Sequence, residues 1–452
     1  MTRLTVAVAC IGTFVTILDS TAVSVALPTI GHRLGGDISG LQWVVDAYVL
    51  IFAALMLTAG AISDRIGASR AFGLGLAVFT VASAACGLSP TLTALVVARL
   101  VQGAAAAIML PASLSLVRQV HPDPTARARA IALWTAAGGA AIAAGPVVGG
   151  VLTGGLGWPA IFFVNVPVGV AGLVGLLRAP RSPSRPAPID LLGQLTSVLA
   201  LAALTFAVIE AGSGFGPPVV LAVATFVIVG TGFLVVESRG RHPAVPLGLF
   251  RIRAVAVCTA TGFALNFAFY GMVFVLTLLF QQVRGASPVA AGLMFLPMTA
   301  LVTVINIVAG RLAARFGPRL PMVLGELILA AGLLGLLIVG PATATVTLLL
   351  LLVPLGIGGG LTVPAMTTAM LEAVPADRSG LASGILNSAR QVGGALGVAV
   401  FGAFVADPAR FLSGMRLSLV IGAALVVVTA GAGTLLRSGQ RAAPAMATTA
   451  PS

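Results

Sequence analysis

Three charged side chains lie inside long apolar stretches of the sequence, where a charge needs a specific reason. Asp19 lies in the run from about residue 4 to residue 30, Asp46 in the next run and Arg99 in the fourth. A charge at the centre of a bilayer costs at least ~2.5 kcal/mol, so it is usually paired or takes part in a transport or proton pathway. A carboxylate can carry a proton, whereas arginine stays charged. We therefore predict a proton-coupling site with Asp19 as the principal carrier. The alternative is a polar residue tolerated because it faces other helices.

The composition indicates an integral membrane protein. Of the 452 residues, 58% are apolar and 8% are charged, whereas a soluble domain carries about 25% charged residues. All 25 basic residues are arginine, which excludes ATP hydrolysis by a lysine-containing phosphate loop. The net charge of +13 is scattered over short loops, so we expect membrane orientation and no nucleic-acid partner.

The sequence lacks the motifs of common enzymes. The histidines lie in loops without metal-ligand spacing, and the three cysteines lie in apolar runs. Glycine clusters inside the apolar runs lack the strand and helix of a nucleotide site. We therefore predict no enzyme activity, no metal and no cofactor.

Fourteen apolar stretches are each predicted to cross the bilayer, which takes roughly 20 residues. An even number places both termini on one side. Nineteen arginines fall in the segments on that side and four on the other, which predicts cytoplasmic termini. The stretches are 5–30, 41–62, 71–89, 91–117, 128–154, 158–178, 190–211, 218–236, 254–282, 288–312, 319–340, 344–371, 380–406 and 416–437.

Helical rise places the three charges at similar depth. At 1.5 Å per residue, Asp19, Asp46 and Arg99 all fall in the outer half of the first group of spans. A mutually close cluster is one possible arrangement, in which Arg99 would favour the ionised form of its neighbour. The rotation of each helix about its axis is not fixed by the sequence.

Several polar and aromatic residues inside spans are candidates for a substrate cavity. Aromatic residues in a span are more often part of the packed core, and Glu326 has both a functional and a structural interpretation. The candidates are Tyr48, Gln102, Asn266, Phe267, Tyr270 and Glu326.

Two similar loops divide the chain into halves. Residues 60–67 (G-A-I-S-D-R-I-G) follow the second span, and residues 310–317 (G-R-L-A-A-R-F-G) follow the tenth. Ala314 stands in the second copy where the first has an acid. Repeated halves around a central site are typical of transporters. We predict a six-helix bundle over residues 1–180, a linker with two further helices over 181–253, a second bundle over 254–437 and a disordered tail over 438–452.

Three motifs resemble those of the major facilitator superfamily. The loop motif consists of Gly60, Asp64, Arg65, Gly67 and Arg70. The fourth-span motif around Arg99, Gln102 and Gly103 is associated in that superfamily with proton coupling. The fifth-span motif of its antiporters, G-P-V-V-G-G, packs helices closely through small residues and consists here of Gly145, Pro146, Gly149 and Gly150.

Residues 18–28 (LDSTAVSVALP), 43–48, 158–167 and 387–397 also resemble the fourteen-span drug:proton antiporters of that superfamily. This resemblance implies an all-α polytopic membrane protein with two six-helix bundles and two extra central helices. It implies a monomer in the cytoplasmic membrane that exchanges protons for hydrophobic or amphiphilic drugs. The loop motif implies a conformational latch, with Asp64 capping a helix of the second bundle near Gly380. The alternatives are a proton-coupled uptake carrier for a small metabolite and a receptor with a transporter fold.

Overall fold

The computed structural model of the chain describes residues 2–120, 123–178, 182, 190–212, 214–240, 245, 247–375 and 379–436. The predicted tail over 438–452 and most of the predicted linker at 179–189 lie outside these residues, as does the side chain of Asp64. The described residues form helices and contain no strand. The prediction of an all-α protein is therefore confirmed.

Sixteen α-helices of the described residues follow one another with short connections. Their bounds are α1 Thr2–Leu34, α2 Ile38–Ile66, α3 Ala68–Gly87, α4 Leu92–Gln119, α5 Pro124–Leu156, α6 Ala160–Phe163, α7 Asn165–Leu176, α8 Leu191–Ala211, α9 Pro217–Arg239, α10 Arg253–Leu278, α11 Pro288–Met294, α12 Leu296–Phe316, α13 Arg319–Gly335, α14 Thr345–Glu372, α15 Ser379–Phe404 and α16 Phe411–Thr434.

Local side-chain chemistry determines where several helices begin. The Asp37 carboxylate accepts a hydrogen bond from the backbone N–H of Gly40 at 2.8 Å and caps α2. Thr91 caps α4, Asp123 caps α5 and Asp190 caps α8 in the same way. Such caps satisfy one of the N–H groups that the first turn of a helix leaves without a partner.

Eleven of the described helices are long and apolar enough to cross a membrane, or twelve if the bent helix around residues 136–156 counts as one span. The segment Ala160–Leu176 is shorter, and α15 is not among the eleven. An all-helical, multi-pass architecture follows from these lengths. The predicted count of fourteen spans and the cytoplasmic position of the termini stay predictions.

Contacts between helices form two sets. In the first, α1 packs on α4, α5 and α7, and α4 packs on α2 and α3; in the second, α10 packs on α15 and α16, and α14 packs on α12 and α13. The helices α8 and α9 pack on each other, and α8 also contacts α2 and α15. The two sets meet where α2 contacts α15 and where α5 contacts α11 and α12. The residues with predicted functions are carried mainly by α1, α2, α4, α5 and α10.

Candidate functional site

The carboxylate of Asp19 is the centre of a buried polar network. Its Oδ2 atom accepts a hydrogen bond from Nη1 of Arg99, and both side chains of this ion pair are fully buried. Its Oδ1 atom accepts hydrogen bonds from the side-chain amides of Gln102 at 3.0 Å and Asn165 at 2.9 Å. Helices α1, α4 and α7 therefore converge on one carboxylate.

Ser83 of α3 extends this network. Its hydroxyl oxygen accepts hydrogen bonds from the amides of Gln102 at 3.2 Å and Asn165 at 3.0 Å. The same hydroxyl donates to the carbonyl oxygen of Phe162 at 2.9 Å. The amides of Gln102 and Asn165 are thus oriented with their N–H groups toward the Asp19 carboxylate.

Arg99 contacts α1 and α2, although its Nη2 atom is buried without a hydrogen-bond partner among the described residues. Its Nε donates to the carbonyl oxygen of Val44 at 3.0 Å, and Nη1 also donates to Oε1 of Gln102 at 2.8 Å. The centre of the guanidinium lies 4.2 Å from the centroid of the Tyr48 ring, in cation–π geometry. The ion pair with Asp19 is electrically neutral, so protonation of the carboxylate would leave the charge of Arg99 without a counter-ion.

Asn165 and Ser83 were not among the predicted site residues. Asn165 lies in the sequence 158–167, and an asparagine inside an apolar segment is a signal that could have identified it. Ser83 gives no comparable signal, because serines are common in this chain and its role depends on which way α3 is rotated. The network therefore extends the predicted site by two residues.

Asp46 of α2 is separate from this network. Its side chain is fully buried, and neither carboxylate oxygen has a hydrogen-bond partner in the structure as far as it describes the chain. Asp19 and Arg99 are paired, while Asp46 contacts neither by a hydrogen bond or ion pair within the same residues. A shared role of Asp46 in proton coupling stays a prediction.

We expect Asp46→Asn to change the free energy of unfolding by less than about 1 kcal/mol, because no hydrogen bond or ion pair is lost. The matched Asp19→Asn change should cost ~3–5 kcal/mol, since it leaves Arg99 buried without a counter-ion. Unfolding of the detergent-solubilised variants, followed by circular dichroism, measures the difference. Equal losses of stability in the two variants would contradict the interpretation that Asp19 forms a stabilising ion pair and Asp46 does not.

The loop between α2 and α3 contacts the segment that follows α7. Gly67 has a φ of +89°, which favours glycine, and a Cβ at that position would lie 2.7 Å from the carbonyl oxygen of Ser182. The backbone N–H of Ser69 donates to Ser182 Oγ at 3.0 Å, and that hydroxyl donates to Gln119 at 2.5 Å. The loop is thus held against the end of α4.

The other residues of the predicted latch are described only in part. Arg65 and Arg70 have exposed side chains. Gly60 lies within α2, and its surroundings lie outside the description, as do those of Gly380. The proposed contact of Asp64 with a helix of the second set therefore falls outside the described residues.

The fifth-span glycines form close contacts with two helices. A Cβ at Gly149 would lie 2.9 Å from the Cα of Ala22, and Gly145 packs against Thr21, both on α1. On the other side, a Cβ at Gly150 would lie 2.5 Å from the carbonyl oxygen of Pro288, at the start of α11. Gly292 of α11 packs in turn against the carbonyl group of Pro146. The small residues therefore bring the two sets of helices together.

These contacts lie on the side of the protein where α1 ends and α2 begins, which is called the distal side below. Two further contacts between the sets lie there. The amide of Gln42 donates to the carbonyl oxygens of Val398 at 3.1 Å and Ala399 at 2.7 Å. The amide of Gln281 donates to the carbonyl oxygen of Val25 at 2.7 Å. The distal side is closed in this structure.

A methyl group at Gly150 is expected to weaken this closure. We expect Gly150→Ala to raise the labelling rate of a cysteine placed at Val25 severalfold, because α5 must move away from Pro288. Gly155→Ala is the matched control, since a Cβ at that position meets nothing within 4 Å among the described residues. Equal labelling rates in the two variants would show that α5 and α11 do not close the distal side.

Two of the predicted cavity residues are tyrosines, one in each set of helices. Tyr48 of α2 is fully buried, and its hydroxyl donates to the carbonyl oxygen of Thr16 at 3.1 Å. Tyr270 of α10 is half-buried and packs against α15, where a Cβ at Gly394 would lie 3.1 Å from its Cδ2 atom.

Three further cavity candidates lie within the second set, whereas Gln102 of α4 belongs to the Asp19 network. Phe267 is buried and packs edge-to-face on Phe401 of α15, with ring centroids 5.6 Å apart. Asn266 is buried beside it in α10. Glu326 of α13 is 1% exposed and accepts a hydrogen bond from Thr429 of α16 at 2.6 Å. The Oε2 atom of Glu326 is buried without a hydrogen-bond partner among the described residues, so its functional and structural interpretations both stay predictions.

Comparisons with known proteins agree with this architecture. The family model described as Major Facilitator Superfamily matches residues 9–398. A peptide-transporter-family structure, in complex with 5-aminolevulinic acid, superposes with a TM-score of 0.71 at 14% identity and covers 94% of each chain. This likeness supports the fold alone.

Relatives of higher identity have names that refer to resistance and export. The "Methylenomycin A resistance protein" of Bacillus subtilis is 37% identical, over 92% of this chain and 90% of the relative. The "Tetracenomycin C resistance and export protein" of Streptomyces glaucescens is 37% identical, over 88% and 74%. The "Multidrug resistance protein Stp" of Mycobacterium tuberculosis is 38% identical, over the same shares. The resemblance predicted from the motifs is confirmed: the chain belongs to the major facilitator superfamily, among its drug-efflux members, and is a multi-pass membrane transporter rather than an enzyme.

Proposed function

We propose that this transporter is a proton-coupled antiporter, which exports hydrophobic or amphiphilic drugs or antibiotics across the cytoplasmic membrane by alternating access. The observation that carries the proposal is the buried ion pair between Asp19 and Arg99. A carboxylate that can take up a proton lies there among four helices of the first set. The printed names of the relatives support drugs as the cargo.

The network gives protonation a mechanical consequence. When Asp19 is ionised, it accepts hydrogen bonds from Arg99, Gln102 and Asn165. A proton on the carboxylate removes the charge that attracts Arg99 and turns one acceptor oxygen into a donor. The hydrogen bonds that join α1 to α4 and α7 must then rearrange. We propose that this rearrangement favours one orientation of the two helix sets.

The proton gradient supplies the free energy for export. Each proton charge that moves inward gains ~2.3 kcal/mol per 100 mV of membrane potential. In this scheme the orientation of the two helix sets that binds substrate is the one in which the carboxylate is deprotonated, so proton and substrate expel each other through the conformation of the protein. Proton uptake from outside then drives substrate release on that side.

The proposed architecture has fourteen spans and cytoplasmic termini, with bundles at residues 1–180 and 254–437 and two extra helices within 181–253. In that orientation the distal side faces the exterior, so its closure by Gly150, Pro288 and Gln42 corresponds to an inward-facing or occluded state. We propose that Asp64 and the loop motif stabilise the opposite, outward-facing state. The transporter acts as a monomer in this proposal.

Transport in inverted membrane vesicles tests the proposal. A growth-inhibition panel, run with and without expression, first identifies a transported antibiotic. Vesicles that contain the protein should then accumulate that compound only while their interior is acidic, and should release protons as it enters. Accumulation that is unchanged when the pH gradient is collapsed would rule out proton coupling. Movement in the opposite direction would favour the uptake carrier.

A further inference from the structure

Arg390 of α15 is a membrane-embedded arginine to which the mechanism above assigns no role. Its Nη1 atom lies 3.5 Å from Oδ1 of Asn387, one turn earlier on the same helix. Its Nε atom is buried and has no hydrogen-bond partner among the residues that the structure describes. The side chain is half-buried, so part of the guanidinium remains accessible.

Two other buried or half-buried arginines, Arg99 and Arg284, have clear structural partners. Arg99 is paired with Asp19, and Arg284 donates from Nη1 to the carbonyl oxygen of Thr343 at 2.6 Å, which ties two loops together. The described part of the chain has ion pairs only at Asp19–Arg99 and at the exposed pair Asp407–Arg410. Arg390 therefore has neither a counter-ion there nor a bond that ties α15 to another helix.

The position of Arg390 is set by close packing with α10. A Cβ at Gly262 would lie 3.0 Å from Cγ of Arg390, so the glycine leaves room for the arginine stem. Tyr270, on the same helix as Gly262, packs against α15 one turn after Arg390, where a Cβ at Gly394 would lie 3.1 Å from its Cδ2 atom. Arg390 and Tyr270 thus lie on the two helices of the second set, α15 and α10, that contact α2 and α1 of the first set.

No ion pair among the described residues neutralises Arg390, since the buried carboxylate of Asp46 on α2 is not within ion-pair distance of any arginine there. Asp19 and Arg99 neutralise each other, and Arg390 then adds one positive charge. A charge inside a span is costly and is usually retained for a function. A positive, partly accessible group repels cations and attracts anions, and this difference gives specificity.

We infer that Arg390 binds the acidic group of the transported compound, and that the substrate is therefore a hydrophobic organic anion, such as a carboxylic acid or an acidic phenol. This inference rests on the proposed export function and names its substrate class. A planar guanidinium can donate two parallel hydrogen bonds to a carboxylate. Tyr270, which is half-buried, supplies aromatic surface for the apolar part of the ligand.

Equilibrium binding of two dyes to the full-length protein in detergent tests the inference. Fluorescein carries a carboxylate and is anionic at neutral pH, whereas rhodamine 123 has the same ring scaffold, a methyl ester and a positive charge. Wild type should bind fluorescein more tightly than rhodamine 123. Arg390→Gln should raise the Kd for fluorescein about 10- to 100-fold, as expected for the loss of a charge-assisted pair.

Arg416→Gln is the matched control, because Arg416 is exposed on α16 and donates only to the carbonyl oxygen of Leu337 at 3.2 Å. It removes the same charge and should leave the Kd for fluorescein unchanged. Arg390→Lys should restore part of the affinity for fluorescein, since lysine keeps the positive charge but cannot donate two parallel hydrogen bonds to a carboxylate. Circular dichroism verifies that each variant is folded.

Three results would overturn the inference: no measurable binding of fluorescein by wild type, tighter binding of rhodamine 123, or equal Kd values for fluorescein in wild type and Arg390→Gln. None of these depends on a proton gradient. Failure of the proposed antiport is seen separately, as vesicle transport that does not respond to pH, so the two proposals can fail independently.

Discussion

Replacing Asp19 with asparagine is expected to abolish uphill transport while substrate exchange across the membrane continues. Asparagine has nearly the same size as aspartate. In wild type the amides of Gln102 and Asn165 donate to Oδ1 of Asp19, and the Oδ1 atom of asparagine can still accept these hydrogen bonds. It cannot take up a proton in the relevant pH range. The helices can still rearrange, but the rearrangement is no longer linked to the proton gradient.

The asparagine variant also leaves Arg99 with an uncompensated charge. Loss of one partner from a buried pair costs ~3–5 kcal/mol, and we expect lower thermal stability as a second signature. Uphill accumulation in inverted vesicles with an imposed pH gradient should fall to the level of vesicles without the protein. Exchange of labelled for unlabelled substrate, with no gradient, should persist at a measurable rate.

Asp407→Asn is the matched control for this substitution. Asp407 is exposed and caps a short helical turn by accepting from the N–H of Ala409 at 2.9 Å. Its replacement should leave both uphill transport and exchange unchanged. Normal uphill accumulation by Asp19→Asn would end the proposal that Asp19 carries the proton. Loss of exchange as well as accumulation would indicate a purely structural role.

The relation between sequence and structure differs from residue to residue at this site. Asp19 and Arg99 could be predicted because a charge in an apolar span is costly in any fold. The helical rise also gave their depth, and similar depth made a pair plausible. Which acid pairs with Arg99 could not be predicted, because that depends on the rotation of α1, α2 and α4 about their axes.

Asp46 illustrates the limit of that reasoning. Its depth is similar to that of Asp19, yet neither of its oxygens has a hydrogen-bond partner in the described structure. Asn165 illustrates the opposite case, since it lies on a short helix that begins at the residue itself. Its approach to Asp19 depends on how α7 packs against α1, and this tertiary contact cannot be predicted from the local sequence.

The number of spans shows a similar limit. Apolar stretches predict helices well because an unsatisfied backbone group in lipid is very costly. Pro146 and the neighbouring glycines bend α5, α7 has only 12 residues, and polar residues such as Asn387, Arg390 and Gln391 lower the apolar character of α15. Length and apolar character alone therefore identify eleven or twelve spans, although helices occur in all fourteen predicted stretches.

Removing both charges of the ion pair is expected to restore stability without restoring transport. Arg99→Met alone should be strongly destabilising, since it leaves the carboxylate of Asp19 buried with only amide donors. Asp19→Asn alone leaves Arg99 unpaired. The double variant, which combines Asp19→Asn with Arg99→Met, contains neither unpaired charge. Replacement of a whole buried ion pair is often neutral for stability.

The double-mutant cycle separates this pair from its surroundings. We expect the double variant to be more stable than either single variant, and the interaction free energy to be ~0.5–3 kcal/mol, the range for residues in direct contact. Arg99→Lys keeps the charge but cannot donate at once to Asp19, Gln102 and the Val44 carbonyl group as Arg99 does. Its stability and uphill transport should lie between those of wild type and Arg99→Met.

Transport by the double variant decides what the pair is for. If Asp19 and Arg99 only tie α1 to α4, the stable double variant should transport uphill nearly as well as wild type. If the pair couples protons to transport, the double variant should fold and bind substrate, yet show no accumulation that depends on the pH gradient. We expect the second result, because a methionine and an asparagine leave no group in this network whose charge a proton can change. Proton-driven accumulation by the double variant would move the coupling site elsewhere, and the fully buried Asp46 would be the next residue to test.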